Sequence, residues 1–99
     1  MDKQIEKRIA TIIYEDGTEK EVSPKNGTDF KLEEMQDVVN GYIDIIRMGD
    51  GKIMVINDEG KFECEYNRRA TEIAHSYGTL FPGDYISGNV ILCDNDMVR

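Results

Sequence analysis

Two adjacent arginines, Arg68 and Arg69, follow Asn67 at the start of a run with helical spacing. A helix N-terminus is the positive end of the peptide dipole, so a cation there is unfavourable by about 0.3–1 kcal/mol at the surface, and acidic residues are the usual occupants. Two accounts of the pair stay open. In one, the guanidinium groups are neutralised by nearby carboxylates, Asp58, Glu59, Glu63 or Glu65. In the other, Asn67, Arg68, Arg69 and the free helix amides form an anion pocket next to Asn57, with Glu59 in the same binding set, suited to a phosphate or a nucleotide signal. Covalent chemistry would need Cys64 beside the sole histidine, His75, so that the imidazole deprotonates the thiol. Nothing in the spacing places them together. Cys64, Cys93, His75 and the scattered carboxylates lack the local pair spacing of a zinc site. GDG, NDEG and DNDM lack the ligand alternation and closing Glu of a calcium loop, and turn chemistry accounts for them. No Walker or dinucleotide loop is present. The reading is of a protein with no catalytic residue, no metal and no cofactor.

Composition narrows the partners. The chain has 99 residues, 20 acidic against 12 basic, and a formal net charge of -8. That length supports one domain, residues 1–99, and leaves no room for a separate cofactor domain. The charge disfavours direct binding to nucleic acid or to an anionic membrane, and suits a basic protein partner. The start, MDKQIEKRIATII, has no signal-type apolar core, and no run approaches the roughly 18 residues of a membrane span. A cytoplasmic protein with reduced thiols is therefore expected.

The elements that position these residues follow from periodicity. Ile9 to Tyr14, a turn at Asp16-Gly17, and Glu19 to Val22 read as a hairpin. Leu32, Met35, Val38 and Val39 have helical spacing, with Gly41 expected as the left-handed cap. The other side of this helix carries Glu33, Glu34 and Asp37, a candidate acidic interaction face. Tyr42 to Met48 and Lys52 to Asn57 flank Gly49-Asp50-Gly51 as a second hairpin. A second helix, capped by Asn67, presents Ala70, Ile73, Ala74 and Tyr77 on one stripe, and Asn89 to Cys93 is the last strand. The order β-β-α-β-β-α-β predicts an α+β fold, a mostly antiparallel five-stranded sheet with two short helices.

The second hairpin is apolar on both faces, since Ile43 and Ile45 oppose Ile46 and Met48, while Ile53 and Val55 oppose Met54 and Ile56. Two short helices can cover one sheet face and hardly both. A homodimer with Ile46, Met48, Met54 and Ile56 as contacts is the expectation, against the alternative that the helices straddle the sheet or the first hairpin folds over it.

Gly41-Tyr42-Ile43, the run Asp50, Gly51, Met54, Val55, Asn57, Glu59, Gly60, the helix start Asn67, Arg68, Ala70, Thr71, and Gly88 to Cys93 carry a resemblance over most of the chain. On these residues it resembles the small family called domain of unknown function 3846, found in phages, mobile elements and gut bacteria. The resemblance implies a mobile-element protein that disables a host defence protein, and related-looking sequences are associated with inhibition of Cas9-type nucleases. The expected function is thus a non-enzymatic inhibitor of that kind. The alternative is a small-ligand binder using Arg68 and Arg69.

Overall fold

The computed structural model describes residues 8–98. Its elements are β1 (Ala10–Ile13), β2 (Glu19–Val22), α1 (Leu32–Val39), β3 (Ile43–Gly49), β4 (Lys52–Asn57), a single turn α2 (Gly60–Glu63), α3 (Arg68–Ser76), β5 (Val90–Asp94) and a 3-10 turn at Asn95–Met97. The strands form one 5-stranded sheet in the order β2-β1-β5-β4-β3, antiparallel throughout. This is the expected α+β fold, with α2 as an unforeseen addition. Four residues with Gly first and Lys second leave no periodicity from which to read it.

Both hairpins form where their turn residues lie. Gly49 pairs with Lys52 around Asp50 and Gly51, whose φ values are 56° and 75°. Positive φ at both central positions twists the connection in the same sense as the strands. The cap of α1 departs from expectation by one residue: Asn40, at φ 64°, takes the left-handed position and donates its N–H to the Gln36 carbonyl at 2.8 Å. Asn tolerates this region because its short polar side chain does. Gly41 has a different reason to lack a side chain, since a Cβ there would lie 2.8 Å from Asn57 Nδ2.

The helices straddle the sheet. Met35 and Val39 of α1 pack with Ile12, Ile53, Val55, Ile91 and Cys93, whereas Ala70 and Ala74 of α3 pack with Ile13, Met48, Met54 and Val90. Adjacent strand residues belong to opposite clusters, as the pleat requires. This corrects the reasoning behind the expected dimer contacts. Met48 and Met54 are buried against α3 in the same chain, and only Ile46 and Ile56 of the four keep some exposure. A helix as short as α3 suffices because its Ala70 and Ala74 allow close approach to the sheet.

Asparagine side chains close the end of the sheet at which β1 and β4 exit. Asn67, 0% exposed, accepts from the Ala70 amide at 3.0 Å through its side-chain oxygen, and donates to the carbonyls of Gly88 at 2.8 Å and Ile13 at 3.1 Å. Asn57 donates to the Val39 carbonyl at 2.9 Å and accepts from Glu59 N–H at 2.7 Å. Asn89 accepts from Glu15 N–H at 3.0 Å and donates to the Val38 carbonyl at 3.3 Å. Two of these bonds serve the last carbonyls of α1, which have no partner within the helix. Thr71 extends the network by accepting the Ile86 amide at 2.9 Å.

Leaving a buried donor or acceptor unpaired costs about 1–3 kcal/mol. Asn67→Ala is therefore expected to lower the unfolding free energy by roughly 3 kcal/mol or more, read as a fall in urea midpoint with an unchanged m-value. Gly60→Ala should also destabilise, by about 1–3 kcal/mol, because a Cβ there would lie 2.7 Å from the Ser87 carbonyl oxygen. An unchanged midpoint in either variant would contradict this account of the sheet end.

Candidate functional site

Arg68 and Arg69 do not share a pocket. Arg68 Nε donates to Glu72 Oε2 at 3.1 Å, one turn along α3, and Arg69 Nε donates to Glu19 Oε2 at 2.9 Å on β2. The guanidinium groups are neutralised internally, as one account holds, but not by Asp58, Glu59, Glu63 or Glu65. Sequence proximity pointed to that run, while β2 lies 50 residues away in the chain and only the fold brings Glu19 to the helix. The anion-pocket set is not assembled: the Asn57 and Asn67 side chains are turned into the network just described, Arg68 and Arg69 bind different carboxylates, and among the described residues the four principal clefts are lined by neither arginine.

The acidic face of α1 is likewise divided. Glu34 folds back, accepting from the amides of Lys25 and Lys31, each at 3.1 Å, so it serves the entry to the helix. Glu33 and Asp37 remain exposed.

The thiols are not set up for nucleophilic work. Burial raises the Cys64 pKa, and Glu15 and Glu63 add to the rise. Burial pushes Cys93 up to about 11. His75 lies at the C-terminal end of α3 with Nε2 2.8 Å from the Asp84 carbonyl oxygen, and lines a cleft of about 980 Å³ with Tyr66, Glu72, Asp84 and Tyr85 that does not include Cys64. Among the described residues no group of three His, Cys, Asp or Glu side chains is placed to hold a metal ion, and no helix is long and apolar enough to cross a membrane.

What the fold does assemble is an acidic end. β1 and β4 each run antiparallel to β5, so they point the same way and their exits emerge together. The first exit carries Glu15 and Asp16; the second carries Asp58, Glu59, Glu63 and Glu65. The two are joined, since Glu65 N–H donates to Glu15 Oε2 at 3.1 Å. None of these carboxylates forms an ion pair with a described cation, whereas Arg8, Lys52, Lys61, Arg68 and Arg69 are all paired with other acids. Aromatic side chains stand among them: Tyr42 is 76% exposed and Phe62 89%. One cleft of about 360 Å³ joins Gln36, Tyr42, Glu59 and Glu63; another of about 700 Å³ joins Tyr14, Glu15, Asp16, Glu65 and Tyr66. Glu59, expected beside the arginines, stands at this end in the company of other acids. Glu15 and Asp16 were missed as its neighbours because they come from the other exit, more than 40 positions away in the chain.

Fold and clefts together describe a small α+β domain with an acidic, aromatic-studded end. The chain belongs to the family described as domain of unknown function (DUF3846), which matches residues 9–97. No curated protein and no solved structure matches it. The residues that carry the resemblance now have physical roles: Asn57, Asn67 and Thr71 satisfy backbone groups at the sheet end, Gly41 and Gly60 permit close approach, and Ala70 packs on the sheet.

An alkylating agent should leave Cys93 untouched in the native chain at neutral pH. A pKa near 11 lowers its thiolate fraction by about two orders of magnitude relative to an ordinary thiol, and burial blocks access. Peptide mapping after brief iodoacetamide treatment should show slow modification at Cys64 alone; fast labelling of Cys93 before denaturant is added would contradict the packing.

Proposed function

We propose that this is a non-enzymatic binding protein whose acidic end docks on a basic, nucleic-acid-handling surface of another protein and so blocks it. The observation that carries this reading is the segregation of charge: the paired cations are used inside the chain, while Glu15, Asp16, Asp58, Glu59, Glu63 and Glu65 stand together with no counter-ion among the described residues. Gathering like charges at one end costs folding energy, and a complementary partner recovers it on binding. Charge of this sign speeds encounter with a positive channel and rejects anionic competitors. The target class to which the family resemblance points is a Cas9-type nuclease, whose guide–target heteroduplex lies in such a channel. The place of action is then the cytoplasm of a bacterial host cell carrying the phage or mobile element.

The nucleotide-binding alternative finds no supporting observation, because the clefts are lined by carboxylates and the arginines are engaged elsewhere. The expected homodimer keeps Ile46 and Ile56 as partly exposed candidates, and light scattering reads it directly.

Cleavage by a Cas9-type ribonucleoprotein should fall when this protein is in molar excess. The inhibition should weaken steeply as salt rises through the range in which the Debye length drops from about 10 to 3 Å. Reversing Glu59, Glu63 and Glu65 to Lys should slow association by about tenfold or more. Undiminished cleavage by every basic-channel nuclease tested, with the folded protein in excess, would reject the reading.

A further inference from the structure

Between β3, β4 and α2 lies a cleft of about 220 Å³, with Ile56 and Ile86 among its apolar lining, Phe62 and Tyr85 as aromatic lining, and Asp44, Asp58 and Glu59 as its acids. That volume is below the roughly 300–1,000 Å³ of small-molecule pockets and suits one inserted side chain. We propose that this groove is the specificity pocket of the acidic end, and that it receives a single arginine or lysine side chain from an exposed segment of a basic protein partner. The inference rests on the binding reading above and adds the place and the chemistry of the anchor.

Three features converge. Phe62 is 89% exposed on a turn whose Gly60 is buried and whose backbone is tied at both ends, Glu63 N–H and Cys64 N–H donating to the carbonyls of Glu59 and Gly60 at 3.2 and 2.8 Å. A large apolar ring presented to water on a hydrogen-bonded turn is the kind of group that becomes an interface anchor. Next, the only cation in the groove is Lys61, and it is already bound to Asp84, with its ammonium 5.0 Å from the centre of the Tyr85 ring. The chain's own lysine thus shows how a cation sits on this aromatic wall, with Tyr66 bracing Tyr85 edge-on at a centroid distance of 5.9 Å. Finally, Asp44, Asp58 and Glu59 have no cationic partner among the described residues; Asp44 accepts only the next amide, Ile45 N–H, at 2.8 Å.

An arginine or lysine fits all three, laying its methylene stem against Phe62 and Ile56 and its charge among the carboxylates. A second copy of this chain fits badly where the groove lies on a two-fold axis, because such a contact would bring the acids of one copy close to those of its mate. Nucleic acid is repelled for the same reason.

The test uses the full chain and a fluorescein-labelled tetra-arginine peptide as probe, followed by anisotropy, with amide shifts mapped by NMR. Binding should shift the resonances of Ile56, Phe62 and Tyr85. Phe62→Ala, a change on the surface, should weaken it by about fivefold or more, a loss of about 1 kcal/mol. Asp58→Asn should weaken it similarly, while Glu65→Gln, outside the groove, should have less than half that effect on the logarithmic scale. If Phe62→Ala binds like the parent and the losses follow total charge alone, the groove is refuted while the acidic end survives. If the parent chain does not bind the probe at low salt, both fail. A doubled mass with Phe62 at the contact would replace the proposed occupant by a second copy and overturn the inference.

Discussion

The side-chain amide of Asn67 is the point on which the rest of this structure depends. At the end of the sheet where β1 and β4 exit, Asn67 donates to the carbonyls of Ile13 and Gly88 and, through its oxygen, caps α3. One fully buried group thus joins a strand, a loop and a helix. Asn57 and Asn89 repeat the device for the last carbonyls of α1. No described buried side-chain polar atom is left without a partner. Buried polar networks of this completeness specify one arrangement, because any slip leaves several groups unsatisfied at once.

That arrangement brings the charges together. Fixing the two exits side by side puts Glu15 and Asp16 beside the run from Asp58 to Glu65, and the amide of Glu65 donating to the Glu15 carboxylate holds them there. The repulsion this creates is tolerable because the groups are solvated and screened. It is also directional, which a net charge alone is not. Asn57, Asn67 and Thr71 secure the frame, while the candidate contact residues, Phe62, Asp44 and Asp58 among them, lie on its outside.

The division of the core follows from the same economy of size. A chain this short cannot build two layers of long helices, yet its central strands are apolar on both faces. Placing α1 on one face and α3 on the other buries Met48 and Met54 within the chain, and two alanines on α3 make a short helix adequate. Of the exposed aromatic side chains, Tyr42 and Phe62 stand at the margin of β3 and α2, next to the acids.

By itself the sequence determined the order of the five strands and the two longer helices, the hairpins at Asp16-Gly17 and Gly49-Asp50-Gly51, the apolar stripes of both helices, the cap at Asn67 and the two apolar faces of the central hairpin. These are local matters: backbone angles that only Gly, Asp or Asn accept easily, and periodicities of 2 and 3.6. Tertiary structure alone decided which face each helix takes, that Arg69 reaches Glu19 and Arg68 turns to Glu72, that Glu34 serves its own helix entry, that Asn40 takes the left-handed position, and that Asn57 packs closely on Gly41. Each of these depends on groups distant in the chain or on competition between neighbours for the same space. Electrostatic and hydrogen-bond partners are chosen by distance in space, and spacing along a chain carries that information only within a turn or a hairpin.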